Sequence, residues 1–184
     1  MAVFALQLPW FGLPFCIMTT HNCLDLIHLF NDLFATTENT VLIGDGEEPL
    51  YLPADATSSF NRIIFTRNYF ASALHEIAHW CIASAHRRTL VDYGYWYFPE
   101  GRNAEQQRLF EQAEIKPQAL EFLFSEACGS RFIASQDNLA TGHGDAALFE
   151  KNIAEQVQCY LSNGLPALAG EFRNRLLDFY SGSR

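Results

Sequence analysis

The chain has 184 residues, 49% of them hydrophobic, with 16 Phe. That size and composition predict a single packed domain and argue against disorder. A formal net charge of -9 and a pI near 5.0 argue against non-specific nucleic-acid binding, which needs a basic surface to displace counterions, and are compatible with a cationic substrate group. The five cysteines, at positions 16, 23, 81, 128 and 159, form no C-x-x-C pair. A cysteine zinc site is therefore not expected, and reduced, mostly buried thiols in a cytoplasm are. Cys81 reads as a core residue.

Residues 1–17 are apolar but lack a basic start and a small-residue cleavage site, and Pro9, Gly12 and Pro14 interrupt them. They fit neither a signal peptide nor a membrane helix. They are expected to be a non-native or disordered leader, with Met18 the natural start of a single domain over 18–184. From Asn22, Leu24, Ile27, Leu29, Phe30, Leu33 and Phe34 recur at helical spacing. Thr40 to Ile43 and Leu50 to Leu52 read as strands, and Asp45-Gly46 between them predicts a hairpin. Pro49 makes the second strand an edge or a late starter. Asn61 to Thr66 is a third strand, and Asn68 is placed to cap the helix that follows.

That helix carries His75-Glu76-x-x-His79 in an Ala- and Leu-rich run, with no Gly or Pro from Ala71 to Arg88. Residues four apart lie one turn apart on the same face, so His75 and His79 can grip one metal ion. Glu76 sits one step round, where it reaches a metal-bound water or oxidant and not the ligand line. The helix is expected to end near His86-Arg87-Arg88, whose charges suit a helix C-terminus.

The stretch Val91 to Pro99 contains Asp92, Tyr93, Tyr95, Trp96 and Tyr97. It reads either as half-buried packing or as the aromatic wall of a substrate cleft, able to hold an alkylammonium group by cation–π contact. Asn103 is a helix cap, and Ala104 to Ala113 is a helix expected to break before Pro117. A second helix then runs from Gln118 to Cys128, closed by Gly129. A two-histidine site needs another protein ligand, and Glu105, Glu111, Glu114, Glu121 and Glu126 are the acids at hand. Glu114, beside the expected kink, comes first among them; Glu111 is one turn earlier and Glu121 is the reserve. Asp137 and His143, in a polar connection, suit turns better than ligation. Two helices, Asp145 to Asn163 and Ala167 to Tyr180, finish the chain. The expected architecture is α+β: a small antiparallel-rich sheet with packed helices, and a metal held between the HExxH helix and a downstream one.

Two histidines and a carboxylate leave open positions on a metal. With zinc they support peptide hydrolysis, Glu76 being the general base; with iron(II) the same facial set binds dioxygen. A metal that merely staples two helices is the non-enzymatic alternative. HExxH by itself favours zinc hydrolysis.

Several blocks resemble the elongation factor P hydroxylase family well beyond HExxH. They are Tyr51-Leu52-Pro53-Ala54-Asp55-Ala56, Asn61-Arg62-Ile63, His75 to Ala83, Arg87-Arg88-x-Leu90-Val91-Asp92-x-Gly94-Tyr95-Trp96-Tyr97, and Glu114-x-Lys116-Pro117-Gln118-Ala119-Leu120. The likeness runs from about Met18 to Tyr180 and is absent from residues 1–17. It implies a cytoplasmic enzyme that hydroxylates the lysine of bacterial elongation factor P already carrying a β-lysyl group. It further implies molecular oxygen as co-substrate and a non-haem divalent metal, iron(II), on His75, His79 and Glu114. Glu76 would assist proton transfer. A cleft of Asp92, Tyr93, Tyr95, Trp96 and Tyr97 would suit a doubly cationic substrate tip.

Overall fold

The computed structural model describes residues 21–94, 102–136 and 145–182. The expected leader and the start at Met18 lie outside them. Among the described residues the order is α1 (Cys23–Phe34), β1 (Thr40–Gly46), β2 (Leu50–Leu52), β3 (Asn61–Thr66), α2 (Phe70–Ile82), α3 (Ala104–Cys128), α4 (Ala146–Asn163) and α5 (Ala167–Ser181). Two short 3-10 turns, Arg87–Thr89 and Val91–Gly94, lie between α2 and α3. The α+β expectation holds. No described helix is long and apolar enough to cross a membrane.

The sheet differs from the expected hairpin. Its strand order is β1-β3-β2, with β3 parallel to β1 and antiparallel to β2, so it is mixed and β1 never pairs with β2. The most apolar strand, with Ile63 and Phe65 fully buried, takes the centre. Asp45-Gly46 is not a two-residue turn. The register shifts between Ile43 and Gly46, and Asp45 sits at a φ of 65°. The Asp45 N–H donates to Arg67 O at 2.9 Å, and the Arg67 N–H donates back to Gly46 O at 2.8 Å. The dipeptide thus forms a bulge that fastens β1 to the β3–α2 turn. A Cβ on Gly46 would lie 2.6 Å from Ile64 Cγ2, so only glycine fits that approach. Pro49 does precede an edge strand, β2.

Asn68 does not cap α2. Tyr69 holds the cap position without a side-chain bond, and Asn68 instead donates to Asp45 Oδ1 at 2.8 Å. At the other end α2 stops at Ile82, short of the basic residues, because Ala83 turns extended. Arg88 folds back to donate to Ala83 O at 3.1 Å, so a cation still meets the helix C-terminus through space.

The expected break at Pro117 is absent. A single 25-residue helix, α3, passes through it. An internal proline forfeits a backbone hydrogen bond and costs roughly 3 kcal/mol. The turns after it bury Leu120, Leu123 and Phe124 completely, at about 1.5–3 kcal/mol each, which outweighs that loss. The cap expected at Asn103 holds, with a capping box to Gln106, and Asn22 and Asp145 also accept backbone N–H bonds at their helix starts.

The core lies where α1, α2, α3 and α5 meet. Phe30 packs edge-on against Phe34, Trp80 and Phe172, with ring centroids 5.0–5.9 Å apart. Trp80, fully buried, anchors α2 there, and His75 and His79 lie on a neighbouring, partly exposed face of α2.

Candidate metal centre

One helical turn sets the two imidazoles side by side. His79 Nε2 stands 3.0 Å from His75 Nε2. Glu114, from the facing helix α3, places Oε2 3.4 Å from His75 Nε2 and Oε1 3.3 Å from His79 Nε2. These three residues are the group among the described residues whose ligand atoms could hold a metal ion. Metal–ligand bonds of roughly 2.0–2.2 Å meeting at near-octahedral to tetrahedral angles leave ligand atoms about 3.0–3.5 Å apart. The His75–His79 separation and the two His–Glu114 contacts, which use different carboxylate oxygens, fall in that range, so the three residues could hold a metal ion.

Glu121 stands behind His75 instead of joining the ligand triangle. Its Oε2 lies 2.8 Å from His75 Nδ1. A carboxylate on Nδ1 fixes the tautomer and turns the Nε2 lone pair toward a metal. Glu114 is 3% exposed and Glu121 7%, so two carboxylates are buried against two imidazoles. Burying carboxylates is costly unless positive charge compensates them, and a divalent cation between neutral imidazoles balances both.

The titration behaviour reports the same demand. Burial opposes a charged His75, but the Glu121 hydrogen bond and the charges of Glu114, Glu121 and Glu76 outweigh it, and its pKa is pushed up to about 10. Burial also opposes a charged Glu114. The His79 charge and hydrogen bond, then His75 and Gln118, pull it down to about 2. Glu76 is half-buried one step round α2, and burial raises its pKa despite both histidines.

Glu114 is not aimed by a kink. It belongs to a polar stripe on one face of the continuous α3: Gln107, Glu111, Glu114, Gln118 and Glu121, three or four residues apart. All but Glu111 are buried. Gln118 donates through Nε2 to Ser135 O at 2.6 Å and accepts from Ser135 N–H at 3.0 Å; the same Nε2 lies 3.5 Å from Glu114 Oε2. About three turns back along α3, Gln107 Nε2 donates to Gln136 O and to Glu111 Oε1, each at 3.1 Å. Gln136 Nε2 also donates to Glu111 Oε1 at 3.0 Å. The segment ending at Gln136 is therefore laced along the stripe by its backbone. Glu111 serves that lacing, whereas Glu105 is exposed and Glu126 pairs with Arg173 at 3.2 Å. Weighing the acids one by one missed Gln107 and Gln118. The recurrence of Gln and Glu at helical spacing was the signal that could have found them.

Asp92 and Tyr93 bear electrostatically on Glu76 or are affected by it. Asp92 commits Oδ1 to the Tyr51 N–H at 2.8 Å. Tyr93 is buried with its ring stacked on Tyr51, centroids 4.3 Å apart. Tyr95, Trp96 and Tyr97 lie outside the described residues, as do Asp137 and His143. His86 is exposed, as expected of a terminal histidine, and Cys81 is buried.

The family model for elongation factor P hydroxylase matches residues 29–184. The elongation factor P lysine hydroxylase of Haemophilus influenzae is 48% identical over 161 residues, covering 88% of this chain and 90% of that protein. With the match extending over nearly the whole described domain, this chain belongs to the elongation factor P hydroxylase family.

Proposed function

We propose that this chain is a cytoplasmic enzyme that hydroxylates the β-lysylated lysine of translation elongation factor P. It does so with dioxygen and a non-haem divalent metal, iron(II), held by His75, His79 and Glu114. The observation that carries the reading is the triangle of two imidazoles and one buried carboxylate in a chain of this family. Iron(II) held there would bind and activate dioxygen, one oxygen atom entering the C–H bond and the other leaving as water, with two electrons and two protons drawn from an added small-molecule reductant and solvent.

The chain's own residues do the rest. Glu121 takes the His75 Nδ1 proton in a hydrogen bond and holds the ring with Nε2 forward. Gln118, fixed at both ends of its amide by Ser135, keeps a donor beside Glu114 and favours its charged form. Glu76 stands beside the three ligands without being one, and moves a proton during the reaction. The stretch holding Asp92, Tyr93, Tyr95, Trp96 and Tyr97 offers acidic and aromatic side chains whose chemistry suits a doubly cationic chain, while the Tyr93 ring itself is buried.

The test is anaerobic loading with iron(II), addition of β-lysylated elongation factor P, a two-electron reductant such as ascorbate and air, and intact-mass analysis of the product. A gain of one oxygen on the factor is the expected result. Peptide cleavage by the zinc-loaded protein, with no oxygen gained under iron, would replace this reading with hydrolysis by Glu76 as general base. Tight metal binding with neither reaction would leave the metal a structural staple.

A further inference from the structure

Helix α3 holds one imidazole from two sides. Glu114 Oε2 lies 3.4 Å from His75 Nε2, and Glu121 Oε2 lies 2.8 Å from His75 Nδ1. The two carboxylates are about two turns apart, and Pro117 stands between them. The ring stays between both only while the helix keeps one angle across the proline.

The proline is a weak point in that helix. It brings no N–H, so Ala113 O loses its helical donor, and its ring crowds the preceding turn. Sharp helix kinks arise mostly at such residues. Burial of Leu120, Leu123 and Phe124 keeps the chain helical beyond Pro117, but apolar burial is non-directional and does not fix a bend angle.

Directional bonds span the gap. Before Pro117, Gln107 Nε2 donates to Gln136 O at 3.1 Å, and Gln136 Nε2 donates to Glu111 Oε1 at 3.0 Å. After it, Gln118 Nε2 donates to Ser135 O at 2.6 Å, and Gln118 Oε1 accepts the Ser135 N–H at 3.0 Å. Ser135 and Gln136 are consecutive, so one short stretch of chain is bonded to α3 on both sides of the proline. The early anchor is itself fixed. Arg102, 4% exposed, lies over the Phe110 ring at 3.9 Å. It donates through Nε to Gln107 Oε1 at 3.1 Å and through Nη2 to Gln136 O at 3.4 Å. Gln107 and Gln118 are both buried, so these bonds are sheltered from water and costly to leave unmade.

We infer that Ser135 and Gln136 splint α3 across Pro117, and that Gln107, which ties the early half of the helix to the splint, is a positioning residue for the metal centre. The splint keeps Glu114 and Glu121 at the separation that clamps His75 between them. This rests on the metal reading above and deepens it: the ligand angle is set by polar bonds several turns from the ligands, where apolar packing alone would leave the helix free to bend.

The experiment titrates iron(II) anaerobically into the full-length metal-free protein by calorimetry and records the absorption spectrum of the cobalt(II)-loaded protein. Gln107→Leu cuts the early tie and should weaken iron binding roughly tenfold and shift the cobalt spectrum. Gln136→Ala, at a half-buried position, removes the bond to Glu111 and should act in the same direction; it carries the test if Gln107→Leu does not fold. Pro117→Ala supplies the missing N–H, so beside it either substitution should change iron affinity less than about twofold. Phe172→Leu, which loosens the core without touching the splint, should lower Tm and leave affinity and spectrum as in the parent. Parent affinity and spectrum in both Gln107→Leu and Gln136→Ala overturn the proposal. So does a loss that persists in full beside Pro117→Ala, or one that Phe172→Leu reproduces. These readouts need no substrate. If the parent binds iron but adds no oxygen to the factor, the functional reading fails and the splint is still judged by affinity; an active parent indifferent to both glutamine substitutions sinks this inference alone.

Discussion

Helix α3 buries two kinds of surface, and they obey different rules. One face presents Leu120, Leu123 and Phe124, fully buried beside Phe172. The other presents Gln107, Glu114, Gln118 and Glu121, each at most 7% exposed. The apolar face gains stability from area alone and tolerates any side chain of suitable shape. The polar face gains little from burial, and every group on it must find its partner. Stability therefore resides in the first face and chemistry in the second. A helix that serves both is held steady by the one while the other keeps its angles.

Substitutions at the two faces should separate these roles. Glu114→Ala should have the largest effect: metal binding lost and hydroxylation reduced at least about a thousandfold. The fold should be retained, as circular dichroism and calorimetric metal titration would show. Wild-type metal affinity in that variant would break the division. Phe124→Ala should cost about 3–5 kcal/mol of stability by leaving a cavity, measured by urea unfolding of the metal-free protein, while the folded fraction binds metal normally. Loss of affinity in the folded fraction would mean the apolar face also sets the ligands. Glu121→Leu should weaken metal binding roughly 10–100-fold, and Glu121→Gln, which keeps an acceptor for the ring N–H, should recover part of that loss.

The smallest effect expected is on pH. Metal must displace the proton that His75 holds up to about 10 in the metal-free protein. Metal affinity should accordingly rise with pH below that value, by up to about tenfold per unit for one proton. Stability of the metal-free protein should run the opposite way. A raised histidine contributes stability that is complete below its ordinary pKa, 6.5, and lost as pH climbs through about 10. Glu114, lowered to about 2, contributes stability present above its ordinary 4.5 and lost as pH falls through 2. The metal-free protein should therefore be most stable between these two ordinary values. A Tm for the metal-free protein that stays level from pH 6.5 to 10 would contradict the coupled triangle.

What was legible in the chain follows the range of each interaction. The histidine pair was legible because a helical repeat alone brings His75 and His79 together. The cap at Asn103 was legible because a cap bonds only within its own first turn. Asp45-Gly46 misled because the same left-handed preference serves a bulge as well as a hairpin, and only the position of β3 between its neighbours decides which. Pro117 misled for a related reason: its local cost is real, but Leu120, Leu123 and Phe124 meet the core only if the helix continues. Among the acids, local aim could not single out Glu114, because Glu111 and Glu121 share its stripe. The crossing of α3 over α2 divides them, giving Glu114 to the ligand face of the imidazoles, Glu121 to the back of His75 and Glu111 to Gln107 and Gln136.

By itself, the amino-acid sequence determined a helix bearing two imidazoles on one side and Cys81 among its core residues, together with where most helices start and stop. Those outcomes depend on sterics and hydrogen bonds within a turn or two of chain. Only the tertiary structure decided the strand order, the unbroken α3 and which acids of the stripe face which side of the imidazoles. Each of these is a local cost or a local tie, resolved by burial against residues distant along the chain.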